Sequence, residues 1–125
     1  MAELILASNS KVRKEILDKN NIQAIVKPSN VDESIFKEKM LNEEISPELI
    51  SKNLAELKAN KVSQANPETL VIGADSVIDL DGELISKPTN REDAMIILKK
   101  LNGKQHYLIS SVCISKDGNM IWNYT

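Results

Sequence analysis

The chain has 125 residues, of which 42% are hydrophobic and 27% charged, with a formal net charge of −2; that describes one compact globular domain. The charge balance excludes long-range attraction to DNA or anionic lipid, so any phosphate binding has to be local. At 3% aromatic there is no stacking platform for single-stranded nucleic acid, and no segment approaches the ~20 apolar residues of a membrane helix.

The opening Met1-Ala2-Glu3-Leu4-Ile5-Leu6 lacks the basic stretch and long apolar core of a signal peptide, so a cytoplasmic protein is expected. Residues 4–7 form a continuous apolar run, which predicts a strand buried on both faces. Ser8-Asn9-Ser10 interrupts it. Ser10 then caps a helix that carries Val12, Ile16 and Leu17 on one face and ends at Asn20-Asn21. Residues 23–27 read as a second strand, and Pro28-Ser29-Asn30 as the loop after it. The acidic stretch 31–44 predicts a loop with a short helix. Ser46-Pro47 supplies an N-cap and an N1 proline for a long helix, with Ile50, Leu54, Leu57, Lys61 and Ala65 at helical spacing, running to about Asn66.

Residues 70–73 predict another buried strand run, 77–80 continue as strand, and Asp81-Gly82 is a hairpin turn signal. Asn90 caps a helix with Glu92 and Asp93 in its first turn. Met95, Ile96, Ile97, Leu98 and Leu101 are expected on its buried side, and Gly103 at its C′ position. Residues 107–115 predict a long strand turning at Asp117-Gly118, with the return strand at 120–124. The single cysteine, Cys113, excludes an intramolecular disulfide, and its apolar neighbours predict a buried, inert thiol. Strands alternating with helices make this an α/β fold, a mixed sheet with flanking helices around a cleft. Ile121-Trp122-Asn123-Tyr124-Thr125 stops in mid-strand, so the chain is expected to be incomplete at its C-terminus.

Four segments carry candidate chemistry. The turn Ala7-Ser8-Asn9-Ser10, with Arg13 in the first helical turn, presents backbone N–H groups and a guanidinium to an anion; a plain N-cap with a solvent-facing arginine fits the same residues. Asp32-Glu33 is a carboxylate pair of the kind that holds Mg²⁺, although a solvated acidic loop, or Asp32 capping the helix that follows, is the commoner explanation. Gly73-Ala74-Asp75-Ser76 ends the most apolar strand, where ligands of open α/β sheets sit, and Asp75 there can bind metal or take a proton from water; the alternative is a turn-forming aspartate. Lys87 before Pro88 is a stiffly mounted point charge, or a surface lysine. Lys58 occupies a boundary position on the long helix, either snorkelling out or pointing into a cleft. His106, the only histidine, has no partners for a metal cluster or triad, which leaves it a structural or rim role.

In combination these segments resemble the Maf family. The order Leu6-Ala7-Ser8-x-Ser10-x-x-Arg13, Val31-Asp32-Glu33, Leu54-Ala55-x-x-Lys58-Ala59, Ile72-Gly73-Ala74-Asp75-Ser76, Leu80-Asp81-Gly82-Glu83, Lys87-Pro88, Leu101-x-Gly103 and His106 carries the resemblance from about Leu4 to Val112. It implies a nucleoside triphosphate pyrophosphatase of the inosine-triphosphate-pyrophosphatase-like fold that cuts the α–β phosphoanhydride to monophosphate and pyrophosphate. Also implied are a divalent cation (usually Mg²⁺, with Mn²⁺ as substitute) and a homodimer. Carried over by position, Asp75 matches the proton acceptor, Lys58 and Lys87 further catalytic cations, and Ser8, Ser10 and Arg13 substrate-binding residues. Asp32, Glu33 and Asp75 match the metal side, and Val12 and Ser76 the specificity positions. Many members have arginine where this chain has Val12. Branches preferring dTTP and UTP pair that arginine with threonine, and Val12 with Ser76 fits no branch well, so the base stays open. Members also continue well past the point matching Thr125. The competing reading is a non-catalytic nucleotide-binding or regulatory remnant of the same family.

Overall fold

A computed structural model describes residues 4–85 and 90–125 of the chain. Its elements follow in the order β1 (Leu4–Leu6), α1 (Lys11–Lys19), β2 (Ile25–Val26), α2 (Glu33–Asn42), α3 (Pro47–Ala65), β3 (Leu70–Leu80), β4 (Glu83–Ile85), α4 (Arg91–Leu101), β5 (Tyr107–Lys116) and β6 (Asn119–Tyr124). The strands form one six-stranded mixed sheet of order β2-β1-β3-β5-β6, with β4 also paired to β3. This is the expected α/β architecture.

The pivot of the sheet is β3. Along one edge it pairs antiparallel with β5 from Val71↔Ser115 to Asp79↔Tyr107. Along the other it pairs parallel with β1 over Leu70, Val71 and Ile72, then antiparallel with β4 over Ile78, Asp79 and Leu80. The β1 contact closes with the Ala7 N–H donating to the Ile72 carbonyl at 2.8 Å. The first strand then leaves the sheet, and among the described residues no strand covers 73–77 on that edge. The sheet therefore has a notch beyond the carboxyl end of β1.

The apolar run at 70–73 places Asp75 at a strand end by sequence, with 77–80 continuing as strand. In the structure 70–80 is one continuous strand, and Asp75 lies at its middle. Long-range pairing to β5 carries the backbone through residues whose side chains serve the notch rather than the core.

The long helix α3 lies across β3 and β5 at van der Waals distance. A Cβ on Gly73 would come within 2.3 Å of the Ala55 carbonyl oxygen and 2.8 Å of both the Cβ and N of Ala59. Only a glycine facing two alanines permits this approach. Ile5, Ala7, Ala55, Ala59, Val62, Val71 and Cys113 form the main core around it, and Met40, Ile50 and Leu54 form a second one between α2 and α3. Polar seams close the same interface: Ser115 Oγ donates to Asn60 Oδ1 at 2.6 Å, and the Gly118 N–H to Ser63 Oγ at 2.8 Å. Cys113 is wholly buried, and that burial pushes its thiol pKa up, as expected of an inert cysteine.

Local signals hold well. Ser10, Ser46 and Asn90 each cap a helix as expected, and α3 ends at Asn66. Asp81-Gly82 and Asp117-Gly118 both turn with positive φ at each residue, the geometry that suits tight hairpins. Two expectations fail. The stretch 31–44 holds a ten-residue helix, α2, rather than a short one. The side of α4 expected to be buried is also not buried: the helix has no buried residue, and Ile96 is 63% exposed. The apolar face of α1 has no buried residue either, and Val12 is 63% exposed. Amphipathic spacing identifies a helix but does not say what its apolar face covers.

Replacing Gly73 by alanine should force α3 off the sheet and destabilise the protein by about 1–3 kcal/mol, the usual range for overpacking. Thermal or urea unfolding of Gly73→Ala measures this, and an unchanged midpoint would contradict the packing described.

Candidate active site

A cleft of about 640 Å³ opens at the notch and is lined by residues from every surrounding element. Ser8, Ser10 and Arg13 come from the end of β1 and the start of α1, Glu33 and Lys37 from α2, Lys58 from α3, and Asp75 and Ser76 from β3. Residues 28–31 form one wall, held to α3 where Lys61 Nζ donates to the Asn30 carbonyl at 3.1 Å.

Lys58 is the centre of the polar network. Its side chain is 9% exposed, and an unpaired ammonium at such a depth would cost several kcal/mol. It is fully engaged instead. Its three N–H donors meet an oxygen of Glu33, Asp75 Oδ1 at 3.3 Å and the Ala74 carbonyl at 3.4 Å. Ser51, about two turns earlier on α3, donates to the Asp75 carbonyl at 3.1 Å. The close approach of α3 at Gly73 brings these donors to β3.

The two carboxylates beside Lys58 are driven apart in acidity. Burial pushes Asp75 up, and the charges of Lys58 and then Lys37 only partly offset this, leaving its pKa above the ordinary aspartate value. For Glu33 burial also acts upward, but the Lys58 hydrogen bond and charge, followed by Lys37 and Arg13, outweigh it and lower its pKa. Opposed shifts in a cleft are how sites separate a proton carrier from a permanently charged group. Asp75 also has an oxygen, Oδ2, that is buried with no hydrogen-bond partner among the described residues. A bare buried acceptor is costly unless something binds it.

Across the cleft, Ser8 organises the turn into α1. Its Oγ accepts from the Ser10 N–H at 3.1 Å and from Arg13 Nη1 at 3.2 Å, while Ser10 Oγ accepts from the Arg13 N–H at 3.3 Å. The guanidinium is thereby tied to the turn beside the N-terminus of α1. No acidic residue occupies the first turn of that helix, so its positive end is open to an anion.

Ser8, Ser10, Arg13, Glu33, Lys58, Asp75 and Ser76 thus converge on one cleft, as their sequence contexts led us to expect. Ser76 stands at the rim, its Oγ 2.9 Å from that of Ser110 on β5. Asp32 is not in the lining. It is exposed and caps α2, accepting from the Ile35 N–H at 3.2 Å. Val12 is likewise exposed and outside the lining. His106 is exposed. Lys87 lies outside the described residues. Two participants were not anticipated, Lys37 and Ser51. Lys37 follows Glu33 by four positions, so a longer helix over 31–44 would have placed both on one face.

Among the described residues no group of three or more His, Cys, Asp or Glu is positioned to hold a metal. Glu33 and Asp75 remain as a pair of hard oxygen donors, one with a free buried oxygen. Such a pair fits Mg²⁺, which is usually held by one or two carboxylates and completed by substrate phosphates and water.

The sequence has clear counterparts among known proteins. The model of the Maf-like protein family matches residues 3–124. The nucleoside triphosphate pyrophosphatase of Pelagibacter ubique is 66% identical over 98% of this chain and 63% of its own length. That of Roseobacter denitrificans is 38% identical over 97% of this chain and 61% of its own length. The dTTP/UTP pyrophosphatase of Bacillus pumilus is 36% identical over 94% of this chain and 59% of its own length. The chain therefore spans about three-fifths of the length of the curated relatives it matches. With the family model matched over nearly all of its residues, the chain belongs to the Maf-like protein family.

Proposed function

We propose that the protein is a nucleoside triphosphate pyrophosphatase that cuts the α–β phosphoanhydride to release monophosphate and pyrophosphate. The observation that carries this reading is the buried Asp75, its Oδ1 on Lys58 and its Oδ2 free, in a cleft that also holds Arg13 and the N-terminus of α1. The names of the relatives from Pelagibacter and Roseobacter support it.

In this reading Asp75 takes the proton of the attacking water. Burial raises its pKa above that of an exposed aspartate, which makes it the stronger base of the two. Lys58 keeps the carboxylate oriented and, with Arg13, places positive charge where phosphate charge must be stabilised. Ser10 and the first N–H groups of α1 receive phosphate oxygens, and Ser8 holds Arg13 in reach of them. Charge placed in advance is the main contribution such a site makes to phosphoryl transfer. Glu33 and Asp75 would hold Mg²⁺, which neutralises phosphate charge when bound. Lys87 is carried by the family resemblance as a further cation.

Pyrimidine nucleoside triphosphates are the substrates we favour, on the strength of the Bacillus relative's name, with Ser76 at the rim as a contact for base or sugar. We further place the protein in the cytoplasm as a homodimer. The homodimer is carried by the family resemblance; among the described residues no helix is long and apolar enough to cross a membrane.

Incubation with Mg²⁺ and a nucleotide panel including dTTP and UTP should give pyrophosphate and the monophosphate as first products. Asp75→Asn should lower kcat by roughly 10²–10⁴-fold, the usual contribution of a general base. Orthophosphate as first product, or turnover unchanged in Asp75→Asn, would contradict the assignment. Ser8→Ala removes the acceptor for Arg13, a hydrogen bond worth about 1.5–3 kcal/mol to a charged group. It should raise KM about tenfold with kcat nearly unchanged; a KM that does not move would show that Arg13 is positioned by something else.

A further inference from the structure

Among the described residues the cleft holds five charged side chains: Arg13, Lys37 and Lys58 against Glu33 and Asp75. Two of the three cations are committed. Lys58 is saturated by Glu33, Asp75 and the Ala74 carbonyl, and Arg13 is tied to Ser8. Lys37 is different. It is half-buried and lines the same cleft, yet it makes no hydrogen bond or ion pair with any described residue. It leaves α2 one turn beyond Glu33, on the same face of the helix, and its charge acts on both Glu33 and Asp75. Three cations facing two carboxylates leave one positive charge, and Lys37 is the ammonium free to move onto an incoming anion. A lysine on a four-carbon stem suits this task, since it follows an anion as a mobile point charge rather than as a fixed fork.

We propose that Lys37 is a phosphate-binding residue of the cleft, closing over the polyphosphate of the bound nucleotide from the α2 side. The inference rests on the nucleotide reading above and adds a residue to it. It also gives α2 a role: a helix capped by Asp32 and packed on α3 through Met40 holds Glu33 and Lys37 together in the lining of the cleft.

Inorganic tripolyphosphate with Mg²⁺ separates this inference from the identity of the base, and calorimetric titration of the full chain measures its binding. Lys37→Ala and Lys37→Gln should each weaken it about tenfold, the loss expected for one charge-assisted contact. Lys37→Arg should stay within about threefold of the parent. Lys39→Ala, which removes an exposed lysine of the same helix outside the lining, should stay within about twofold. In turnover assays Lys37→Ala should raise KM by the same factor with kcat within about twofold. Unchanged affinity in both neutral Lys37 variants overturns the proposal. So does an equal loss in Lys39→Ala, which would mean diffuse charge rather than contact. Failure of the parent protein to bind tripolyphosphate at all would instead overturn the polyphosphate cleft itself, and this inference with it.

Discussion

Everything in the site depends on how closely one helix lies on one strand. Gly73 has no side chain, and Ala55 and Ala59 across from it have the smallest ones, so α3 rests against β3 with backbone nearly touching backbone. At an ordinary helix–sheet separation a lysine on α3 would have room to snorkel outward. At this separation Lys58 is buried and must find partners within the interface, and Asp75 and the Ala74 carbonyl are the groups in reach. The packing constraint and the Lys58–Asp75 pairing are two consequences of the same contact.

The notch in the sheet is the second half of the arrangement. β1 stops opposite Ile72 and β4 ends opposite Ile78, so among the described residues β3 is unpaired on one edge over the stretch that carries Asp75. β5 keeps the strand straight from the other edge. Asp75 sits in the middle of this central strand, on the face that meets Lys58 of α3. Here it reaches a cleft while keeping the rigidity of a strand, which suits a group that must hold one position through a reaction. The turn leaving β1 brings Ser8, Ser10 and Arg13 to the same cleft, so the interruption of the sheet gathers a buried carboxylate and a polar, cationic turn at one place.

Much of this could be read from the residues alone, because the relevant signals are local. Ser10, Ser46 and Asn90 are caps by chemistry, and Asp-Gly pairs turn chains wherever they occur. The site residues were legible as a set of charged positions beside strand ends. What stayed hidden depends on distant partners. The continuity of β3 through Asp75 and Ser76 is imposed by β5, over thirty residues away in sequence. The extent of α2 was obscured because its apolar residues do not share a face: Met40 is buried, whereas Ile35 and Leu41 are exposed. Lys37 was missed for the same reason. The exposure of Ile96 on α4 shows the converse, a correct period attached to a wrong guess about burial.

The central claim, that the Gly73 contact matters to function because it presents Lys58 to Asp75, is tested most directly by a double-mutant cycle on kcat/KM. The variants are Gly73→Ala, Lys58→Met and their combination. If the contact acts through Lys58, Gly73→Ala will cost much in the parent protein and little once Lys58 is already gone, so the two effects will fall well short of adding. Strictly additive losses would contradict the account, because they would mean that the packing at Gly73 and the charge of Lys58 contribute independently.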